Sequence, residues 1–211
     1  MSDFVVCGWY TPDYAHWLDA LIPSLDAVGA KHDFVKVAKV PGGWEANTME
    51  KPMQIQRAMI RHPDKVIIFL DVDCVVHRPL TPLLLIGGDV GLYLRTKFRR
   101  RGGFRSGWRS GTMVLRPTSN ARALVSAWIE EGERAVRHAV DQDSLAVALG
   151  RVPGLSITTL AVAWCATVGD DCPDPAIYHD SASLETKTPR LKRTWHRLVG
   201  RRFDQQKSPR L

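Results

Sequence analysis

Residues 65–80 read KVIIFLDVDCVVHRPL, an unbroken apolar run over 66–70 that ends in two aspartates one residue apart. Five apolar residues in a row fit a strand buried on both faces, as in the middle of a parallel sheet. Asp71 and Asp73 fall at its carboxyl end, where open α/β sheets place their ligands. Alternation along an extended backbone points both carboxylates the same way. They can then converge on one hard cation and, through it, on a phosphate.

The surrounding pattern supports that placement. Residues 4–7 read as a short strand, and Leu18, Leu21, Ile22, Leu25 and Val28 recur at the three- and four-residue spacing of a helix face. Asp13 is a candidate cap and Gly29 a candidate stop. A second strand is expected over 33–40, a loop at Pro41-Gly42-Gly43, and a helix over 51–62 that Pro63 ends. The opening of the chain thus reads βαβαβ, half of a nucleotide-binding sheet. Beyond it the pattern predicts helices over 79–86, 119–138 and 142–149, and strands over 89–94, 112–115, 155–160 and 176–178.

With 211 residues, 45% of them hydrophobic, the chain can bury one sizeable core. The expected organisation is one α/β domain over 1–186 and a basic tail over 187–211. No apolar run approaches the length of a membrane span, and no leader pattern opens the chain, so a cytoplasmic protein is expected. Cys7, Cys74, Cys165 and Cys172 lack C-x-x-C spacing, which argues for reduced thiols and against a zinc ribbon.

The net charge of +7 is a property of the tail: residues 187–211 carry nine Lys/Arg and one acid, whereas the rest of the chain nearly balances. That tail suits a solvated end, a cover for a diphosphate, or peripheral contact with the inner face of an acidic membrane. A second cluster, residues 95–109, holds seven Lys/Arg, no acid and the pair Gly102-Gly103, and reads as a mobile, anion-facing loop. A basic nucleic-acid-binding protein gripping through these two segments is one reading, with binding that weakens steeply with salt. The near-neutral remainder speaks against it, and no nucleic acid is expected as a partner.

Two chemistries compete for the aspartates. FLDVDCVV resembles the first motif of haloacid-dehalogenase-like phosphohydrolases, with Asp71 as nucleophile and Asp73 as general acid. The segment 168–174, VGDDCPD, resembles that family's later metal-binding motif. That motif should open its domain, however, and here a βαβα unit precedes it.

The order of segments over roughly residues 4–190 resembles a second family. An early strand runs into Trp9-Tyr10-Thr11, and Lys51-Pro52 opens a helix. The aspartate pair, Trp108-Arg109-Ser110-Gly111-Thr112-Met113-Val114-Leu115, Asp141-Gln142-Asp143-Ser144-Leu145 and Ile177-Tyr178-His179-Asp180 follow. This layout is similar to GT-A glycosyltransferases of the glycogenin-like and galactosyltransferase-like kind. The resemblance implies a single GT-A (nucleotide-diphospho-sugar transferase) domain, a Rossmann-like mixed sheet flanked by helices. It also implies transfer of a sugar from a nucleotide-diphosphate donor, of the UDP-sugar type, to a hydroxyl of a glycan, lipid or protein, with retention.

Carried over by position, the resemblance puts Tyr10 and Thr11 on the base, and Lys51 and Asp71 on the nucleotide. Asp71, Asp73 and His179 hold Mn²⁺ or Mg²⁺, a set of two carboxylates and an imidazole that suits Mn²⁺. Ser110, Gly111 and Asp143 lie against the donor sugar, Asp141 and Gln142 are the catalytic pair, and Lys187 and Arg190 cover the diphosphate. Lys187 follows His179 by eight residues rather than the six usual in glycogenin-like relatives, and no glycine intervenes.

Overall fold

The computed structural model describes residues 3–98, 102–135 and 139–180. Lys187, Arg190, the tail over 187–211 and the last residues of the helix expected to reach 138 lie outside them. In chain order the elements are β1 (Phe4–Tyr10), α1 (Leu18–Ala27), β2 (His32–Lys36), α2 (Gly43–Thr48), α3 (Lys51–Arg61), β3 (Val66–Leu70) and β4 (Cys74–Val76). Then come β5 (Val90–Phe98), β6 (Phe104–Leu115), α4 (Ser119–Glu133), α5 (Asp141–Leu149), β7 (Ile157–Thr159), β8 (Ala166–Thr167) and β9 (Ile177–His179).

Six strands form a mixed sheet in the order β2-β1-β3-β6-β5-β7, and β4-β9-β8 form a small second sheet. All five residues of β3 are buried, because β3 pairs in parallel with β1 on one side and antiparallel with β6 on the other. Alternation divides its side chains between two cores. Ile67 and Phe69 join Cys7, Met113 and Trp128 beneath α3, α4 and α5, while Ile68 and Leu70 join Val6, Leu21, Leu25 and Val76 beneath α1 and the small sheet. Since β1 and β3 run parallel, Tyr10 and Asp71 emerge at the same edge.

Several local expectations need correction. Residues 95–98 and 104–109, expected in a mobile loop, are instead paired strands of a long hairpin, β5 against β6 out to Phe98 and Phe104. The helix expected over 79–86 is a short 3-10 turn, Thr81–Leu85. Asp13 does not cap a helix: it lies inside a 3-10 turn, Pro12–Trp17, and its carboxylate accepts the Thr11 hydroxyl at 2.6 Å. The Pro41-Gly42-Gly43 loop leads directly into α2, made possible by Gly42 at φ 112°. Asn47 closes that loop, accepting from the Val40 N–H at 3.0 Å and donating to the carbonyls of Val40 (3.0 Å) and Gly43 (2.7 Å).

Gly8 sits where β1 passes β3. A Cβ there would lie 2.3 Å from Cε1 of Phe34 and 2.6 Å from the Leu70 carbonyl oxygen, and the latter, being backbone, cannot swing aside. Gly8→Ala is expected to cost about 1–3 kcal/mol, read as a lowered urea midpoint. An unchanged midpoint would show that the strands part there without penalty.

Candidate functional site

The two aspartates occupy a turn fixed at both ends. The Asp71 N–H donates to the Gly111 carbonyl at 2.9 Å, which ties the residue after β3 to β6. Past Asp73 the chain enters β4, and the Asp73 carbonyl accepts the Asp180 N–H at 2.6 Å, which ties it to the end of β9. The backbone is therefore turned rather than extended, and the carboxylates take different partners. Asp71 meets Lys51 Nζ at 2.9 Å, and Asp73 Oδ1 faces Nδ1 of His179 at 3.8 Å.

Lys51 is the electrostatic centre of the site. Its ammonium also lies 2.9 Å from Asp141 and donates to the Ser110 hydroxyl at 3.1 Å, and that hydroxyl donates to Asp141 Oδ2 at 2.5 Å. The Lys51 and Asp141 side chains are only 7% and 4% exposed. Burial alone would pull the lysine down, but Asp141 and then Asp71 hold it above its ordinary value. Burial pushes the Asp71 carboxyl up; Lys51 opposes this, and the like charges of Asp73 and Asp141 reinforce it. Helix α4 braces the far side, with the buried Trp128 indole donating to the Asp141 carbonyl at 2.8 Å.

His179 is buried, and Thr112 on β6 bonds its Nε2 at 2.8 Å, so that Nδ1 is the nitrogen turned toward Asp73. Burial works against charging the ring, but the Cys165 thiol and Asp73 prevail and raise it above its ordinary value. Gly111 leaves room between the two sides of the site. A Cβ there would stand 3.1 Å from His179 Cε1, 3.3 Å from Nδ1 and 3.4 Å from Asp71 Oδ2.

These residues share the lining of a cleft of about 410 Å³ with four aromatic side chains, Trp9, Tyr10, Tyr14 and Trp44. Thr11, Asp73, Gly111, Asp141 and Gln142 also line it, and Arg109 donates to the Gln142 carboxamide at 3.0 Å. Two expected sugar contacts are used differently. The Ser110 hydroxyl is sealed inside the Lys51 network, and the Asp143 carboxylate caps α5 by accepting the Val140 N–H at 3.0 Å. Lys51, expected on the nucleotide, is held by protein carboxylates. Trp44 escaped the sequence reading, and Arg109, Thr112 and Asp180, though they sit in the segments that carry the resemblance, were given no role by it.

Among the described residues lining the cleft, four carboxylates (Asp71, Asp73, Asp141 and Asp180) face two permanent cations, Lys51 and Arg109. That excess of negative charge, with two carboxylates and an imidazole on one wall, fits a divalent cation. The ligand atoms of Asp71, Asp73 and His179 are not gathered within 4.8 Å of one another. Among the described residues only Cys7, Asp33 and His62 meet that measure. There Asp33 Oδ2 is already bonded to Arg61 and His62, each at 2.8 Å, pinning the end of α3 to β2.

The GDDCPD segment does not supply the phosphohydrolase arrangement. Asp170 accepts the Thr167 N–H and hydroxyl, both at 2.9 Å, and pairs with Arg95 of β5 at 2.5 Å. Its carboxylate is occupied in fastening β8 to the hairpin.

No protein-family model matches the sequence, and no curated protein matches it either. Solved structures do match the fold. A glycosyltransferase involved in the glycosylation of the major capsid of PBCV-1 aligns at 14% identity over 92% of this chain and 98% of that one, with a TM-score of 0.65. GlyE, a glycosyltransferase of Streptococcus pneumoniae TIGR4, aligns at 15% identity over 93% of this chain and 60% of its own, TM-score 0.57. The galactosyltransferase LgtC, solved with donor and acceptor sugar analogs, aligns at 13% identity over 84% of this chain and 87% of its own, TM-score 0.51. The chain thus has the GT-A glycosyltransferase fold, and it spans less than two thirds of GlyE.

Proposed function

We propose that this protein is a metal-dependent glycosyltransferase that moves a sugar from a UDP-type nucleotide-diphosphate donor to a hydroxyl acceptor. The observation that carries this is the turn after β3, which brings Asp71 and Asp73 beside His179 in an acid-rich cleft that Trp9, Tyr10, Tyr14 and Trp44 also line. Tyr10 and Thr11, at the end of β1, receive the base. Asp71 takes the ribose. Asp71, Asp73 and His179 would hold Mn²⁺ or Mg²⁺, which when bound supplies Lewis-acid charge to the departing diphosphate. Arg109 orients the Gln142 carboxamide on the sugar side, and Gly111 admits the donor close to the backbone. Asp141, braced by Lys51, Ser110 and Trp128, fixes the wall against which the anomeric carbon meets the acceptor hydroxyl. Lys187 and Arg190 are proposed to cover the diphosphate. No described helix is long and apolar enough to cross a membrane, and this reading places the enzyme in the cytoplasm, in peripheral contact with the inner face of a membrane.

Calorimetric titration with UDP, GDP and CDP, each with and without Mn²⁺, tests it. One nucleotide should bind in the presence of Mn²⁺ and weaken sharply in EDTA. Absence of binding by all three, with the chain folded, would remove the reading.

Thr112→Val should act on the same measurement through His179. The valine keeps the volume but leaves Nε2 without its hydroxyl partner, so Mn²⁺ affinity is expected to fall about 10- to 100-fold with little change in melting temperature. Unaltered Mn²⁺ affinity would show that Thr112 does not set the ring.

A further inference from the structure

The hairpin made by β5 and β6 has two unlike faces. In its register Phe98 opposes Phe104, Thr96 opposes Ser106 and Leu94 opposes Trp108, so alternation gathers these side chains on one face. Lys97 opposes Arg105 and Tyr93 opposes Arg109 on the other. At the tip, Phe98 and Phe104 are 70% and 73% exposed, their rings edge to face with centroids 5.6 Å apart. Behind them the Thr96 and Ser106 hydroxyls bond at 2.8 Å. The base is anchored by the Arg95–Asp170 pair and by Arg109 at the cleft.

The edge-to-face contact steadies the two rings, yet both tip features leave a cost that a partner can relieve. Two cations directly opposite on a ladder repel, and burial together with the charges of Arg95 and Arg109 pulls Lys97 below its ordinary value. Two large rings left in water forgo the gain of burial. A partner that relieves both must be negatively charged and must also have an apolar interior within a few ångströms of that charge. A polyanion without apolar faces meets only the first requirement, and the near-neutral charge of the chain outside the tail speaks against a nucleic acid. The interface of an anionic bilayer meets both, taking aromatic rings at headgroup depth while lysine and arginine heads reach the phosphates.

We propose that the tip of the β5–β6 hairpin docks this protein on an anionic lipid surface, with Phe98 and Phe104 inserted and Lys97 and Arg105 on the phosphates. Arg109, at the root of the same hairpin, lines the cleft, so docking sets the cleft mouth beside the lipid. The proposal does not depend on the glycosyl-transfer reading.

Flotation of the full chain with vesicles tests it, using phosphatidylcholine alone and an equal mixture with phosphatidylglycerol. The chain is expected to float only with the mixture. The double variants Phe98→Ser/Phe104→Ser and Lys97→Glu/Arg105→Glu should each reduce the bound fraction roughly tenfold or more, with melting temperature and nucleotide titration unchanged. Flotation of both variants like wild type, or no flotation of wild type, overturns the proposal. So does a phenylalanine variant that floats normally while the charge variant loses both vesicles and dextran sulfate, since that pattern belongs to a polyanion site.

Discussion

Asp73→Ala should fold, melt close to wild type in EDTA, and lose Mn²⁺-dependent nucleotide binding and turnover. In the metal-free cleft Asp73 adds a third charge to those of Asp71 and Asp141, and it contributes to holding the Asp71 carboxyl above its ordinary value. Removing it relieves that repulsion but also takes from His179 the carboxylate that faces it, so the two effects on stability oppose each other. Its backbone carbonyl, which accepts from Asp180, is untouched by the substitution. What disappears is one of two carboxylates offered to a cation whose charge offsets the leaving diphosphate, an effect worth several kcal/mol, or roughly a hundredfold or more in turnover. The measurement pairs UDP titration in Mn²⁺ with a melting curve in EDTA. A variant that binds UDP as wild type does in Mn²⁺ would show that Asp73 holds no cation. One that melts well below wild type would show that its charge is balanced by the protein itself.

The parts of this protein legible in the sequence are those governed by one strong pattern. Residues 66–70 fitted a doubly buried strand, and with that strand placed, Asp71 fell at the ligand-binding edge of the sheet. Helix α3 was legible for the same reason, since Ile55, Ala58 and Met59 recur on its buried face. The hairpin was not legible because arginines and glycines carry a loop's composition. Its strands persist because backbone pairing with a neighbour needs no apolar side chains, and only Phe98 and Phe104 betray the ladder. Helix α2 spans six residues, too few for a 3.6-residue period to show. Among site residues the sequence pointed to Lys51, Ser110 and Asp141 but not to their mutual bonds. Those join positions 31 to 90 residues apart, and long-range pairing leaves no local trace. Asp143 shows the converse: its place three residues into a helix sequence describes a cap as well as a ligand.

The buried charge cluster gives the largest expected loss of stability. Lys51→Met retains most of the side-chain volume and removes the only ammonium bonded to both Asp71 and Asp141 among the contacts described here. Asp141, with its side chain 4% exposed, cannot exchange that partner for water. Breaking a buried pair from one side typically costs about 3–5 kcal/mol, a large share of the roughly 5–15 kcal/mol that holds a domain together. Asp141→Leu alone should cost less, because Lys51 keeps Asp71. The double variant Lys51→Met/Asp141→Leu should recover part of the loss: the most deeply buried carboxylate goes with its lysine, Asp71, its side chain 35% exposed, turns to water, and the Ser110 hydroxyl is left without both partners. Urea unfolding of the four chains closes this cycle. Additive losses would mean that the lysine and the aspartate stabilise the fold independently. A Lys51→Met chain within about 1 kcal/mol of wild type would mean that water already reaches the cluster. In that case the ammonium would be available to a diphosphate after all.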